Sequence, residues 1–275
     1  MAQIEKPDEF IGEAQNTSQL LEQMTKWHNQ HDVGVPDAHR RVWYRGHSDH
    51  TYVLRPGVYR DSFTRSSKRL YGKGIEEKRL NLEREMLSEF RTSGATLVNA
   101  NEVVEVYFMA QHYGMPIRLL DWTTNPLAAL FFAVKGLNEK NDGELLIMDA
   151  PSLLPNAPEA PRGILTMRHP YAVDAIGVSF WHPPKQPRKA LVLPIRPDNQ
   201  PGRIGQQSSC FTLHMHEAEA CKNKTLERVK VPGKAKKPIL DELRKLNINE
   251  FTIYNDLDHL AKEIRRTWII GTNVQ

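Results

Sequence analysis

The sequence predicts a single-domain α+β protein, with a helix-rich N-terminal half and a strand-rich C-terminal half. Three observations lead there. Up to about residue 136 apolar residues recur at three- and four-residue intervals. Beyond it the apolar runs are short and bounded by Gly, Pro and Asp. Helices and strands also lack the regular alternation of a parallel βαβ sheet. A chain of 275 residues can bury one large core. Its 40% hydrophobic and 25% charged residues exclude a chain disordered throughout.

Residues 1–15 read as a polar arm. Ser18–Gln30 places Leu20, Leu21, Met24, Trp27 and His28 at helical spacing. Arg41–Arg45 is the first strand, with Val42 and Tyr44 on one face and Trp43 and Arg45 on the other. A charged helix over Gly74–Thr92 is expected to bury Ile75, Leu82, Met86 and Phe90. The next helix is capped by Asn101, carries Val103, Val104, Tyr107, Phe108 and Gln111, and is stopped by Gly114 and Pro116. Asn125-Pro126 opens a third, because asparagine suits the cap and proline the first turn. Its Leu127, Leu130, Phe131 and Val134 form one stripe, and Ala128, Ala129 and Ala133 permit close approach, as expected of a central buried helix.

Strands follow at Glu144–Asp149, Ala190–Ile195 and Cys210–His216, with a shorter one at Val229–Val231. In the Cys210–His216 run, Phe211, Leu213 and Met215 alternate with Cys210, Thr212, His214 and His216. The lysine-rich Lys222–Lys237 reads as a solvated connection, and Lys237–Leu246 and Leu257–Thr267 as helices.

The longest apolar run, Leu127–Val134, is too short to cross a bilayer, so no membrane partner is expected. The first residues have no apolar signal core. Cys210 and Cys221 do not make a disulfide framework in a chain of this length. A cytoplasmic protein with reduced thiols is the expectation. The net charge of +4 permits an anionic partner without requiring one. Cys210, His214 and His216 share a strand face, but without a second cluster or a His-Glu-x-x-His motif no metal is expected.

Three polar blocks could carry chemistry. Trp43-Tyr44-Arg45-Gly46-His47 ends a strand on an arginine whose planar fork suits a phosphate, beside a glycine that lets a ligand near the backbone. Gln111 to Pro126 reads as a loop between two apolar helices, bearing Gln111, His112, Arg118, Asp121 and Thr123; Arg118 and Asp121 are close enough in sequence to pair. Arg203 to Phe211 brings Arg203 and Gln207 to the start of a strand.

Taken together these blocks resemble the FRG domain family. The resemblance is carried by Trp43-Tyr44-Arg45-Gly46, by Tyr52, Leu54, Pro56, Tyr59 and Arg60, and above all by Gln111–Ala133. Tyr44 stands where the family has phenylalanine; Arg203, Ile204, Gln207 and Phe211 match a later block, in which Ser209 replaces glycine. The resemblance implies an arm and helix over residues 1–37, the FRG domain over 38–267 and a tail over 268–275.

A weaker likeness, at the level of fold order, is to ADP-ribosyltransferases, and it implies a split sheet and NAD as substrate. Tyr44, Arg45, Gly46, Gln111, His112, Arg118, Thr123 and Arg203 would then bind the dinucleotide. Arg45, Asp121, Gln207, Glu217 and Glu219 would carry the transfer. The acceptor would be a nucleic acid or protein, an inhibitory partner protein is conceivable, and a toxin or phage-defence effector is the matching setting. The alternative is a non-catalytic nucleotide or nucleic-acid binding module, with Trp43, Tyr44 or Trp122 stacking on bases.

Overall fold

The computed structural model describes residues 3–31, 41–61, 72–97, 102–136, 140–154, 163–181, 192–197, 208–215 and 221–269. The described strands are β1 (Ile4–Glu5), β2 (Gly12–Glu13), β3 (Val42–His47), β4 (Leu119–Thr123), β5 (Gly143–Asp149), β6 (Leu165–Thr166), β7 (Val192–Arg196), β8 (Ser209–His214), β9 (Cys221–Lys222) and β10 (Glu227–Val231). The described α-helices, renumbered along the chain, are α1 (Thr17–Gln30), α2 (Ile75–Ser93), α3 (Val103–His112), α4 (Pro126–Val134), α5 (Pro170–Trp181), α6 (Lys236–Lys245), α7 (Glu250–Tyr254) and α8 (Leu257–Trp268).

Eight strands form one mixed sheet in the order β2-β10-β5-β3-β4-β8-β7-β6, and β1 pairs with β9 in a separate ribbon. This is the α+β class that the sequence predicts. The middle of the sheet is uneven. β3 pairs with β5 over six registers, Val42↔Asp149 to His47↔Glu144. Towards β4 it pairs at Tyr44↔Thr123 alone. Two four-stranded halves therefore meet through one residue pair and part beside it.

Both faces of the sheet are covered. On one, Val42, Tyr44, Leu145, Ile147, Val229 and Val231 pack with residues of α1, α4 and α6. Farther along that face, Leu119, Phe211, Leu213, Leu193 and Ile195 pack with Tyr107 and Phe108 of α3 and Ala172 and Ile176 of α5. On the other face Trp43, Leu146, Met148, Leu120, Trp122, Val192 and Cys210 enclose Ile4, Leu54 and Leu153.

Helix α4 sits on this sheet through missing side chains. A Cβ at Gly46 would lie 1.9 Å from the Ala129 carbonyl oxygen and 2.6 Å from the Ala133 nitrogen. A Cβ at Gly143 would lie 2.5 Å from the Ala133 oxygen. Two glycines on adjacent strands thus receive the alanine side of the helix. Asn125 caps it by accepting from the Leu127 and Ala128 N–H groups, and Thr123 Oγ1 in turn accepts from Asn125 N–H at 2.9 Å.

Several sequence expectations are corrected. Leu119–Thr123 is a central strand, not part of a loop, because four of its five side chains are buried between two strands. Ile75 is exposed; Leu80, Leu82 and Leu87 supply the buried side of α2. Lys222–Lys237 is not a solvated connection, since it contains β10 with Val229 and Val231 buried, and Lys236 is buried with its ammonium donating to Ser48 O at 2.7 Å. Helix α3 starts at Val103 behind an N-cap at Glu102, and Asn101 lies outside the described residues.

Candidate functional site

The two helical layers on one face leave a cleft between them, above the place where β3 and β4 part. It is a cavity of about 320 Å³. Tyr44, Arg45 and Gly46 of β3, Asp121, Trp122 and Thr123 of β4, and Ser209 and Phe211 of β8 form its floor; Gln111 and His112 of α3, Ala129 and Phe132 of α4, and Tyr254 of α7 line it from the helical side. Its lining combines one guanidinium, one carboxylate, an amide, hydroxyls and aromatic rings.

Arg45 is the cation at the split. Its Nη1 donates to the Asp121 backbone carbonyl across the parted strands, and lies 4.0 Å from the Asp121 carboxylate. Its Nε donates to His47 Nε2 at 2.9 Å. Of the five guanidinium N–H groups, one is spent on His47 and one on Asp121. Three remain for a ligand or water. Burial lowers the guanidinium pKa from its ordinary value, and the Asp121 carboxylate opposes that shift.

Beneath Arg45 the sheet carries a buried polar chain. His47 Nδ1 lies 2.8 Å from Glu144 Oε1. The same oxygen accepts from Lys6 Nζ at 2.7 Å, and Glu144 Oε2 accepts from Arg228 Nε at 2.7 Å. Burial pushes the His47 imidazole down to about 4, against the pull of Glu144. Burial alone would raise Glu144; hydrogen bonds from His47 and Lys6 more than offset it and hold the carboxyl below its ordinary value.

Asp121 is the carboxylate of the cavity among the described residues. Both its oxygens accept from Gln111 Nε2, each at 3.0 Å. Its side chain remains 58% exposed, so water and a ligand can reach it. Burial raises the Tyr44 phenol above its ordinary pKa, so it stays protonated. Tyr254 approaches Phe132 edge-on at 6.3 Å, accepts from Lys135 Nζ, and stacks on His259 at 4.3 Å.

Of the residues singled out in the sequence, Tyr44, Arg45, Gly46, Gln111, His112, Asp121 and Thr123 line this cavity. Arg118 does not. It is buried, its Nε donates to Glu83 Oε2 at 2.7 Å, and Glu83 Oε1 accepts from the Arg118 backbone N–H at 2.8 Å and from the Tyr107 hydroxyl at 2.7 Å. Arg118 pairs with Glu83 rather than with Asp121, because residue 118 enters the strand on the α2–α3 side. Gly46 makes room for the helix backbone rather than chiefly for a ligand. Arg203, Gln207, Glu217 and Glu219 lie outside the described residues, as does His216.

Cys210 and His214 are buried, because that side of β8 packs into the Trp43–Trp122 layer. Burial raises the Cys210 thiol to about 12. Among the described residues no group of three or more His, Cys, Asp or Glu is placed to hold a metal ion. No described helix is long and apolar enough to cross a membrane.

Sequence reasoning missed Phe132, Phe211, Ser209 and Tyr254 as lining residues, and His47 and Glu144 beneath them. Phe132 carried a readable signal: it is the aromatic off the Leu127–Phe131–Val134 stripe of its helix. Tyr254 carried none, since only the tertiary fold brings α7 to the cleft.

No curated protein and no solved structure matches the chain. The FRG domain model matches residues 40–142. That stretch holds β3, α3, β4 and α4, and with them the split and most of the cavity lining. Over residues 40–142, the chain is similar to the FRG domain family.

Proposed function

We propose that the cavity binds NAD and transfers its ADP-ribosyl group to a macromolecular acceptor, a protein or a nucleic acid. The observation that supports this best is Arg45. A guanidinium with three uncommitted N–H groups stands at the parting of two half-sheets, in one cavity with the Asp121 carboxylate and the rings of Tyr44, Phe132 and Tyr254. A dinucleotide needs such a combination: a fork for a phosphate, and apolar walls for a planar base.

In the transfer, the bond between ribose C1′ and the nicotinamide nitrogen breaks. Its electron pair leaves with the ring, which becomes neutral nicotinamide. C1′, briefly cationic, bonds an acceptor oxygen or nitrogen, which gives up its proton to water or a carboxylate. Asp121 is the described carboxylate available to stabilise the cation, through the electrostatics of a preformed charge. Thr123 lines the same cleft, although its oxygen also accepts from Asn125 N–H.

One observation favours a second reading, a nucleotide-binding module without turnover. Both Asp121 oxygens already accept from Gln111, and a carboxylate so engaged is a weaker electrostatic catalyst. Incubation with NAD labelled in the adenylate, with protein, RNA and DNA offered as acceptors, separates the two. Nicotinamide release with label transferred supports the transferase. Saturable NAD binding with neither product supports the module, and no binding contradicts both.

A further inference from the structure

Arg45 is useful to a ligand only if its fork is aimed, and an arginine side chain has many rotamers to lose. Its aim is fixed by the bond from Nε to His47 Nε2, 2.9 Å long. That bond sets the chemistry of the histidine. Nε–H is a donor and nothing else, so His47 Nε2 must be the acceptor. The proton of a neutral imidazole then sits on Nδ1, which faces Glu144 Oε1 at 2.8 Å. A carboxylate is the partner that selects this tautomer. Glu144 is itself locked by Lys6 and Arg228, each at 2.7 Å, and is fully buried.

We infer that His47 and Glu144 are a positioning pair, which holds Arg45 in the sheet split with Nε turned inward and the three N–H groups not spent on His47 or Asp121 left for an anionic ligand. The role rests on the reading above that Arg45 meets the ligand. Neither residue lines the cavity, so they act through Arg45 and not by touching substrate.

Burial first, and then the cations around it, keep His47 neutral against the pull of Glu144. Arg45 lies on its own strand, Glu144 on β5, Lys6 beyond β1, and Arg228 on β10 behind Glu144. The Tyr52 ring packs edge-on at 5.9 Å. An imidazolium there would be one more cation beside three, with a donor pointed at a donor. The aim of Arg45 should therefore hold across the neutral range and fail only in acid.

The test uses the full chain, labelled with ¹⁵N, and the variants His47→Gln and His47→Leu. Glutamine can accept from Arg45 through its oxygen and donate to Glu144 through its nitrogen; leucine can do neither. The wild type should show a protonated Nδ1 and a bare Nε2 on His47 from pH 7.5 to pH 5, and a slowly exchanging Arg45 Nε–H. His47→Gln should keep that slow exchange and bind NAD within about threefold of wild type. In His47→Leu the Arg45 Nε–H should exchange fast and NAD affinity should fall about tenfold or more, the usual worth of one charge-assisted hydrogen bond. A His47 proton on Nε2, an imidazolium at pH 7, or His47→Gln as impaired as His47→Leu would overturn the inference. If the tautomer and exchange pattern hold but the wild type does not bind NAD, the pair still positions Arg45, and it is the NAD reading that fails.

Discussion

Replacing Gly46 with alanine tests how the site is built. The added methyl would stand 1.9 Å from the Ala129 carbonyl oxygen, 2.6 Å from the Ala133 nitrogen and 2.9 Å from the Ala129 carbonyl carbon. Ordinary non-bonded contacts are about 3.5 Å or longer, so helix α4 would have to retreat by roughly 1.5 Å. The three nearest atoms are all backbone, so no rotamer change relieves the clash. The retreat would loosen Leu130, Phe131, Ala133 and Val134, all buried. Overpacking a core usually costs about 1–3 kcal/mol; with backbone against backbone, the top of that range or more is expected, about 3 kcal/mol. Urea denaturation of wild type and Gly46→Ala measures it. Gly74→Ala is the comparison: nothing lies within 4 Å of its added methyl, and the change should cost under about 1 kcal/mol. A Gly46→Ala protein within about 0.5 kcal/mol of wild type would refute the packing of α4 on β3.

Phe131→Ala should cost about 3–5 kcal/mol in the same assay, since it removes a buried ring from the α4 core, and a loss under about 1 kcal/mol would contradict that packing. Glu83→Gln should cost about 3–5 kcal/mol because it removes the buried carboxylate that pairs with the Arg118 guanidinium; a near-neutral variant would show that Arg118 is not held by this pair. Acid should destabilise the protein through His47. Its folded-state pKa of about 4 lies below an unfolded value of about 6.5, so the unfolded chain binds more protons between those values. The contribution is therefore intact above pH 6.5 and falls by about 3 kcal/mol in total as pH drops to 4. His47→Gln removes this linkage, and equal loss of stability in wild type and variant between pH 6.5 and 4.5 would refute it.

Much of the fold can be read from residue pattern because α1, β3 and α4 each advertise themselves locally. Asn125-Pro126 followed by an apolar stripe is a helix start whatever surrounds it. The Leu119–Thr123 strand was hidden by Arg118, Asp121 and Thr124, whose polarity suggests a loop; it is a strand because neighbours cover both faces. The site divides the same way. Arg45, Gln111 and Asp121 stand out as polar residues beside apolar elements, and they meet in the cleft. Arg118 stands out equally and is buried against Glu83, a partner 35 positions earlier that no local pattern pairs with it. His47 and Glu144 are 97 positions apart and join only through the β3–β5 register. Long-range partners of this kind are set by tertiary packing, which leaves no periodic trace.

The most direct test of the account is a crystal structure of the protein with NAD, accompanied by affinity measurements on wild type, Arg45→Ala and Arg45→Lys. The account predicts the dinucleotide in the cleft between α3 and α4, with a phosphate within hydrogen-bond reach of Arg45. It also predicts that Arg45→Ala weakens binding by about 1.5–3 kcal/mol with the fold intact, and that Arg45→Lys is impaired as well, because a point charge does not replace the fork. NAD bound elsewhere, for instance beside Gln3–Asp8 where a second cavity lies, or an Arg45→Ala protein that binds NAD as wild type does, would contradict it.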